Sequence, residues 1–118
     1  MKNISSKDNV VINSHWASFR SDENYLNIFK EIGDNIQYIS SQTKYIKTLF
    51  ESGRYTDVDK KMEHLFTLTS NSNYRKTNRL IMEMRGALFK GDLSVFREKY
   101  RLLLKSFELE KKILLDLF

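Results

Sequence analysis

The sequence contains no proline, no cysteine and only four glycines. Proline interrupts helix interiors and is common in turns, so its absence favours long helices joined by short connections. Without cysteine the chain has no disulfide, no thiolate metal site and no cysteine nucleophile. No apolar run approaches the ~18 residues that a membrane-spanning helix needs. The apolar patch at residues 10–12 is too short for a signal-peptide core, so we expect a cytoplasmic protein.

What is present fits a folded protein of one domain. Apolar residues make up 41% of the chain and charged residues 30%, and 118 residues can bury a core without a disulfide or a metal. Residues 1–20 lack sustained periodicity and are predicted to form a polar, partly flexible arm, and residues 21–118 a single helical domain. The net charge of +5 is compatible with nucleic acid or acidic partners, and also with an ordinary small domain.

Apolar residues recur at intervals of three or four, which predicts four helices. The expected ranges are Ser21 or Asp22 to near Glu51, about Tyr55 to Leu68, about Tyr74 to Phe89, and Leu93 toward the C-terminus. The polar run at residues 69–73 is typical of a loop. In the first helix the apolar stripe, which begins with Leu26 and Phe29, has a gap at Thr43 that Tyr45 is expected to fill. In the fourth helix Glu110 is the one polar residue within the stripe.

Two glycines divide the chain into matching hairpins. Gly53 and Gly91 each follow a predicted helix, where a left-handed residue closes the last turn, and Asp92 is placed to cap the fourth helix. Counted from each glycine, apolar residues fall at positions +2, +5, +9, +12 and +13. The two glycines are 38 residues apart, which suggests a repeated helical hairpin.

These positions resemble the tetratricopeptide (TPR) repeat over roughly residues 38–106. Gly53 and Gly91 take the small turn position of that family, and Tyr55 with Val58 follows the first glycine as Leu93 with Phe96 follows the second. The residues at +5 and +12 are larger than the family's small residues, the period exceeds the usual 34, and the closing proline is missing. An antiparallel four-helix bundle explains the same pattern. Both alternatives are all-α with four antiparallel helices.

The apolar C-terminus of the fourth helix has more apolar faces than an exposed tail tolerates. We expect it to pack on the N-terminal half of the first helix, or to bind a second copy or a partner protein. The predicted protein-interface residues are Tyr25, Leu26, Phe29, Phe107, Ile113, Leu114, Leu117 and Phe118.

No residue pattern indicates catalysis or a cofactor. His15 and His64 stand in no metal-ligand spacing, and no phosphate loop or nucleophile motif is present, so we expect no enzyme, no cofactor and no metal. Arg75, Lys76 and Arg79 open the third helix, where cations oppose the helix dipole. They are a candidate nucleic-acid site, or simply a solvated basic face.

The sequence therefore favours a non-enzymatic helical protein-binding module, such as an adaptor, chaperone or regulator. The TPR resemblance implies protein–protein contact, and small bacterial TPR-like secretion chaperones are one such role. The alternatives are a nucleic-acid-associated regulator, and a toxin- or effector-neutralising protein of a mobile element.

Overall fold

The computed structural model describes residues 23–117, which are all-α. They form α1 (Glu23–Glu51), α2 (Tyr55–Leu68), α3 (Arg75–Lys90) and α4 (Leu93–Leu115), and no strand. A short 3-10 turn, Ser72–Tyr74, precedes α3. The predicted helix ranges are confirmed to within a residue or two where they are described. The predicted start of the first helix and the predicted N-terminal arm lie outside the described residues, as does Phe118.

Helix α1 runs without a break through Gly33 and belongs to two compact units, one ending at Gln37 and the other beginning at Tyr38. In the described part of the first unit, the rings of Tyr25 and Phe29 stack one turn apart, with centroids 6.4 Å apart. Leu26 is 63% exposed and Phe29 43% exposed, so these two members of the expected apolar stripe are not buried. The second unit, Tyr38–Leu117, contains the rest of α1 and the other three helices.

Both glycine turns have the same backbone geometry. Gly53 has φ 74° and Gly91 has φ 73°, the left-handed region in which a side chain is strained. Arg54 N donates to Leu49 O at 3.0 Å, and Asp92 N donates to Ala87 O at 2.9 Å. These bonds define the Schellman helix ending, so the matching glycines are confirmed as matching turns.

Within Tyr38–Leu117 each helix is antiparallel to its neighbours, and α1 closes the ring by meeting α4. Phe50 of α1 stacks on Phe96 of α4 with centroids 4.3 Å apart, and Tyr100 of α4 donates to Thr43 O of α1 at 3.0 Å. Helix α3 lies between α2 and α4 and packs extensively against α4. This order of neighbours is that of an up-down-up-down four-helix bundle.

The core of this unit consists of the apolar faces of all four helices. The residues at +5 and +12 of both hairpins are at most 1% exposed, and so is Met62 at +9 of the first. Tyr100 at +9 of the second is half-buried, while the +2 and +13 positions are half-buried or exposed. The two hairpins therefore match in their core packing at positions +5 and +12, which are buried in both.

The gap in the α1 stripe is filled in a way that was not expected. Thr43 itself is buried, and its hydroxyl donates to Ile39 O at 2.7 Å, which satisfies the hydroxyl within its own helix. Tyr45 is 45% exposed, and its ring faces the ammonium of Lys61 on α2. The prediction that Tyr45 fills the gap was wrong, because a self-satisfied threonine is small and apolar enough to pack in the core.

Candidate functional site

The α3–α4 hairpin begins with a polar clamp at the N-terminus of α3. The carboxylate of Glu110 accepts hydrogen bonds from Lys76 N at 2.9 Å, Thr77 N at 3.0 Å and the Thr77 hydroxyl at 2.6 Å. Tyr74, the residue before the helix, makes no side-chain cap. Glu110 thus takes the place of a local cap, and its negative charge lies at the positive end of the α3 dipole. Glu110, the polar residue within the apolar stripe of α4, therefore stabilises the start of α3.

The net charge of the chain is carried entirely by this hairpin and the residues after it. Residues 75–118 contain eleven Lys and Arg against six Asp and Glu, whereas residues 1–74 contain nine of each. This partition is visible in the sequence, but counting charge over the whole chain conceals it. The hairpin and the residues after it are therefore the basic part of the molecule.

Most acidic side chains of the hairpin are already engaged. Glu83 pairs with Lys99 at 3.1 Å, and Glu108 pairs with Lys111 at 2.8 Å. Glu110 caps α3, and Asp92 caps α4 by accepting from Val95 N at 3.2 Å. Eight exposed cations of the hairpin form no ion pair with any described residue: Arg75, Lys76, Arg79, Lys90, Arg97, Arg101, Lys105 and Lys112. Of these, Arg97 lies over the ring of Phe50. The three residues predicted as a nucleic-acid site are among them. Their charge is available to a partner.

Helix α4 carries a second apolar stripe on its outer side. Val95, Leu102, Leu109 and Ile113 are 40%, 36%, 53% and 58% exposed. Their spacings of seven, seven and four place them within about 40° of one another around the helix, and roughly 115° from the buried face. We call these four residues the outer stripe. One helix thus presents apolar residues both to the core and to solvent.

The outer stripe borders α3 and the free cations. Lys99 and Ser106, each four residues after a member of the stripe, contact Glu83 and Thr77 of α3. On the other side, Lys105 and Lys112 follow members of the stripe by three residues. The antiparallel register that these contacts fix also places residues 75–79 level with residues 105–112. An apolar strip and a basic surface therefore lie side by side.

A shallow cleft of about 550 Å³ lies where α2 begins and α3 ends, near the glycine turns. Tyr55 and Phe89 are among its lining residues, and Phe89 is 93% exposed. The Arg85 guanidinium binds the Asp59 carboxylate through Nε at 2.9 Å and a second nitrogen at 3.3 Å. That hydrogen bond raises the pKa of Arg85. The ion pair is half-exposed and internally neutral, so the cleft has no marked charge preference.

The structure separates the predicted protein-interface residues. Phe107 and Leu114 are buried and face the core, whereas Ile113 is exposed and belongs to the outer stripe. Leu26 and Phe29 are exposed, while Tyr25 and Leu117 are half-buried. The sequence interpretation followed one stripe along α4, so it missed Val95, Leu102 and Leu109. Their seven-residue spacing was the signal that could have found them.

No group of His, Cys, Asp and Glu in residues 23–117 has the arrangement of a metal site. His64 is exposed, and its Nδ1 lies 3.4 Å from the hydroxyl of Tyr38, whose ring it meets edge-on. No carboxylate among the described residues forms an ion pair with His64. His15 lies outside the described residues. None of the described helices is long and apolar enough to cross a membrane.

The pKa is raised for two tyrosines, the buried Tyr74 and the half-buried Tyr100. Burial raises the pKa of Tyr74 above its ordinary value of 10.0, and the charge of Glu110 raises it further. Burial and the charge of Glu51 raise the pKa of Tyr100 in the same direction. Both phenols stay protonated at neutral pH and act as packing groups. Neither provides a base for catalysis.

Comparison with known proteins gives no relative from which a function can be transferred. No family model matches the chain, and no curated protein and no solved structure is significantly similar to it. The functional argument therefore depends on the surface of the hairpin itself.

Proposed function

We propose that this chain is a non-enzymatic helical protein-binding module that binds its partner through the outer face of α4. The observation that carries the proposal is the outer stripe. Four large apolar side chains at helical spacing are 36% to 58% exposed on a helix that already buries a separate apolar face in the core. Scattered exposed apolar residues are normal on any protein, but a row of them along one side of a helix is typical of an interaction site.

The spacing of the outer stripe indicates the shape of the partner. Apolar residues at intervals of seven and four form the seam on which a second helix packs. From Val95 to Ile113 the strip is about 27 Å long, which is five turns of helix. The TPR resemblance stays a prediction, and it indicates the same class of function.

The test is affinity capture from the native cell with a matched pair of variants. We expect Leu102→Ser with Leu109→Ser to lose the captured partner, since it removes the centre of the outer stripe. The control is Leu104→Ser with Leu115→Ser on the same helix. Leu104 and Leu115 are 40% and 38% exposed, but they lie on the other side of α4. Equal capture by the two variants would refute the proposed surface.

A second copy of the chain is the alternative occupant of the outer stripe. Sedimentation velocity at high protein concentration distinguishes it from a different partner. A dimer that Leu102→Ser with Leu109→Ser dissociates, and the control variant does not, would assign the stripe to self-association. A strict monomer would remove this alternative.

The second candidate function is a nucleic-acid-associated regulator, which the free cations favour. Arg75, Lys76 and Arg79 are exposed on the first turns of α3 and make no ion pair within the described chain. Binding to phosphates would weaken steeply as salt rises, because counterions are released. DNA or RNA binding with that dependence, abolished by Arg75→Ala with Arg79→Ala, would establish this function. A toxin- or effector-neutralising role would use protein contact, and so falls under the first proposal.

A further inference from the structure

We infer that the partner on the outer stripe is an acidic amphipathic helix. The inference rests on the proposed function and adds the chemistry of the partner. It follows from the charges that border the stripe, taken together with the charges that the fold has already neutralised.

Along α4 the unpaired acidic side chains lie at the ends of the outer stripe and the unpaired cations lie between them. The exposed acids of this face that have no partner among the described residues are Glu98 near one end and Asp116 just past the other. Between them Arg101, Lys105 and Lys112 are exposed and unpaired, whereas Glu108 is engaged by Lys111 at 2.8 Å. Among the described residues, the middle of the stripe is therefore bordered by three unpaired cations and by no unpaired acid.

Helix α3 contributes further exposed cations level with the middle of the outer stripe. The contacts of Thr77 with Ser106 and Glu110 place the first turns of α3 level with residues 105–112. Lys76 and Arg79 are exposed on those turns. The carboxylate that would neutralise this end of the bundle, Glu110, is turned inward onto the α3 backbone. The fold thus leaves a basic section next to an apolar strip.

A second copy fits this section poorly. In an antiparallel two-fold pair centred on residues 101–112, Arg101 of each copy would lie opposite Lys112 of the other, and like charges in contact oppose association. A helix with acidic residues flanking an apolar stripe satisfies both features at once. Duplex nucleic acid satisfies the charge but has no apolar face for Leu102 and Leu109.

The experiment uses the full chain and three fluorescein-labelled probes of matched length. One is a designed amphipathic helix of about 18 residues with Leu on one stripe and Glu on both flanks, which spans about 27 Å. The second has Lys in place of every Glu. The third is a short DNA duplex of similar length. Fluorescence anisotropy gives each dissociation constant at low and at high salt.

The acidic peptide is expected to bind at least about tenfold more tightly than the Lys peptide, and less tightly at high salt because exposed charges are screened. Lys105→Glu with Lys112→Glu is expected to weaken its binding about tenfold, since two attractive pairs become repulsive. The matched control is Lys44→Glu with Lys60→Glu. Lys44 and Lys60 are exposed on α1 and α2, and this variant makes the same change in net charge away from the stripe. It should stay within about twofold of the wild type.

The outcomes separate the two proposals. Equal binding of the acidic and Lys peptides, or no effect of the Lys105 and Lys112 reversals, overturns the acidic partner. If Leu102→Ser with Leu109→Ser still weakens binding in that case, the apolar surface stands. If the leucine variant has no effect either, the proposed surface fails as well. Tighter binding of the duplex than of the acidic peptide, insensitive to the leucine variant, assigns the surface to nucleic acid. No binding of the acidic peptide up to about 1 mM also overturns the inference.

Discussion

Replacing Glu110 with alanine tests whether a distant carboxylate is the cap of α3. The variant removes three hydrogen bonds, from Lys76 N, Thr77 N and the Thr77 hydroxyl. Losing a helix cap costs about 0.5–2 kcal/mol, and hydrogen bonds to a charged group are at the strong end of their range. Thr77 is only 1% exposed, so water replaces its lost partner poorly. We expect the free energy of unfolding to fall by about 2–3 kcal/mol.

Urea unfolding followed by circular dichroism measures this loss. With a slope of about 1.5 kcal/mol per M, the midpoint should fall by about 1.3–2 M. The control is Glu108→Ala, two residues away on the same helix. Its side chain is 65% exposed and makes one ion pair, so its loss should cost about 0.5 kcal/mol at most. Glu110→Gln, which keeps an acceptor oxygen but not the charge, should fall between the two variants. If Glu110→Ala unfolds at the same urea concentration as Glu108→Ala, the clamp contributes nothing and the reasoning is refuted.

Three further outcomes are expected from the same unfolding assay. Gly91→Ala should lower the free energy of unfolding by about 1 kcal/mol because φ is 73° at this residue. Gly86→Ala, in the interior of α3 with open space around a new Cβ, should raise it by up to about 1 kcal/mol. Effects of the same sign would contradict the turn geometry. Phe96→Ala should cost about 3–5 kcal/mol, since the ring is buried and stacks on Phe50, and a loss below about 1 kcal/mol would contradict that packing. Burial raises the pKa of Tyr74 above 10.0 in the folded protein, so the free energy of unfolding falls as the pH rises from 10 through the pKa of the folded state. Tyr74→Phe has no phenol to ionise and should lose less stability than the wild type over that pH range. Equal losses would contradict the buried phenol.

The sequence was sufficient to predict the helices because each is long, amphipathic and bounded by a clear signal. Gly53 and Gly91 marked their turns through backbone conformation alone, which is a local property. The Glu110 clamp could not be predicted in this way, because its partners at Lys76 and Thr77 are more than thirty residues away and meet it only through the register of α3 on α4. Local patterns do not encode that register.

The candidate surface was partly predictable for a different reason. Ile113 was recognised from the apolar C-terminus, but Phe107 and Leu114 of the same prediction are core residues. A helix with apolar residues on two faces gives no local signal for which face is inward, and only the packing of α3 and α1 on α4 decides it. The free cations Arg75 and Arg79 were recognised, and the contacts of Thr77 place their part of α3 level with residues 105–112 of α4.

The most direct test of the proposed surface is photo-crosslinking in the native cell from a benzophenone amino acid in place of Leu109. The same substitution at Leu104, on the other side of α4, is the control. The account predicts a discrete protein adduct from position 109 and none from position 104. Adducts of equal yield from both positions, no adduct from position 109, or an adduct with nucleic acid instead of protein would contradict it.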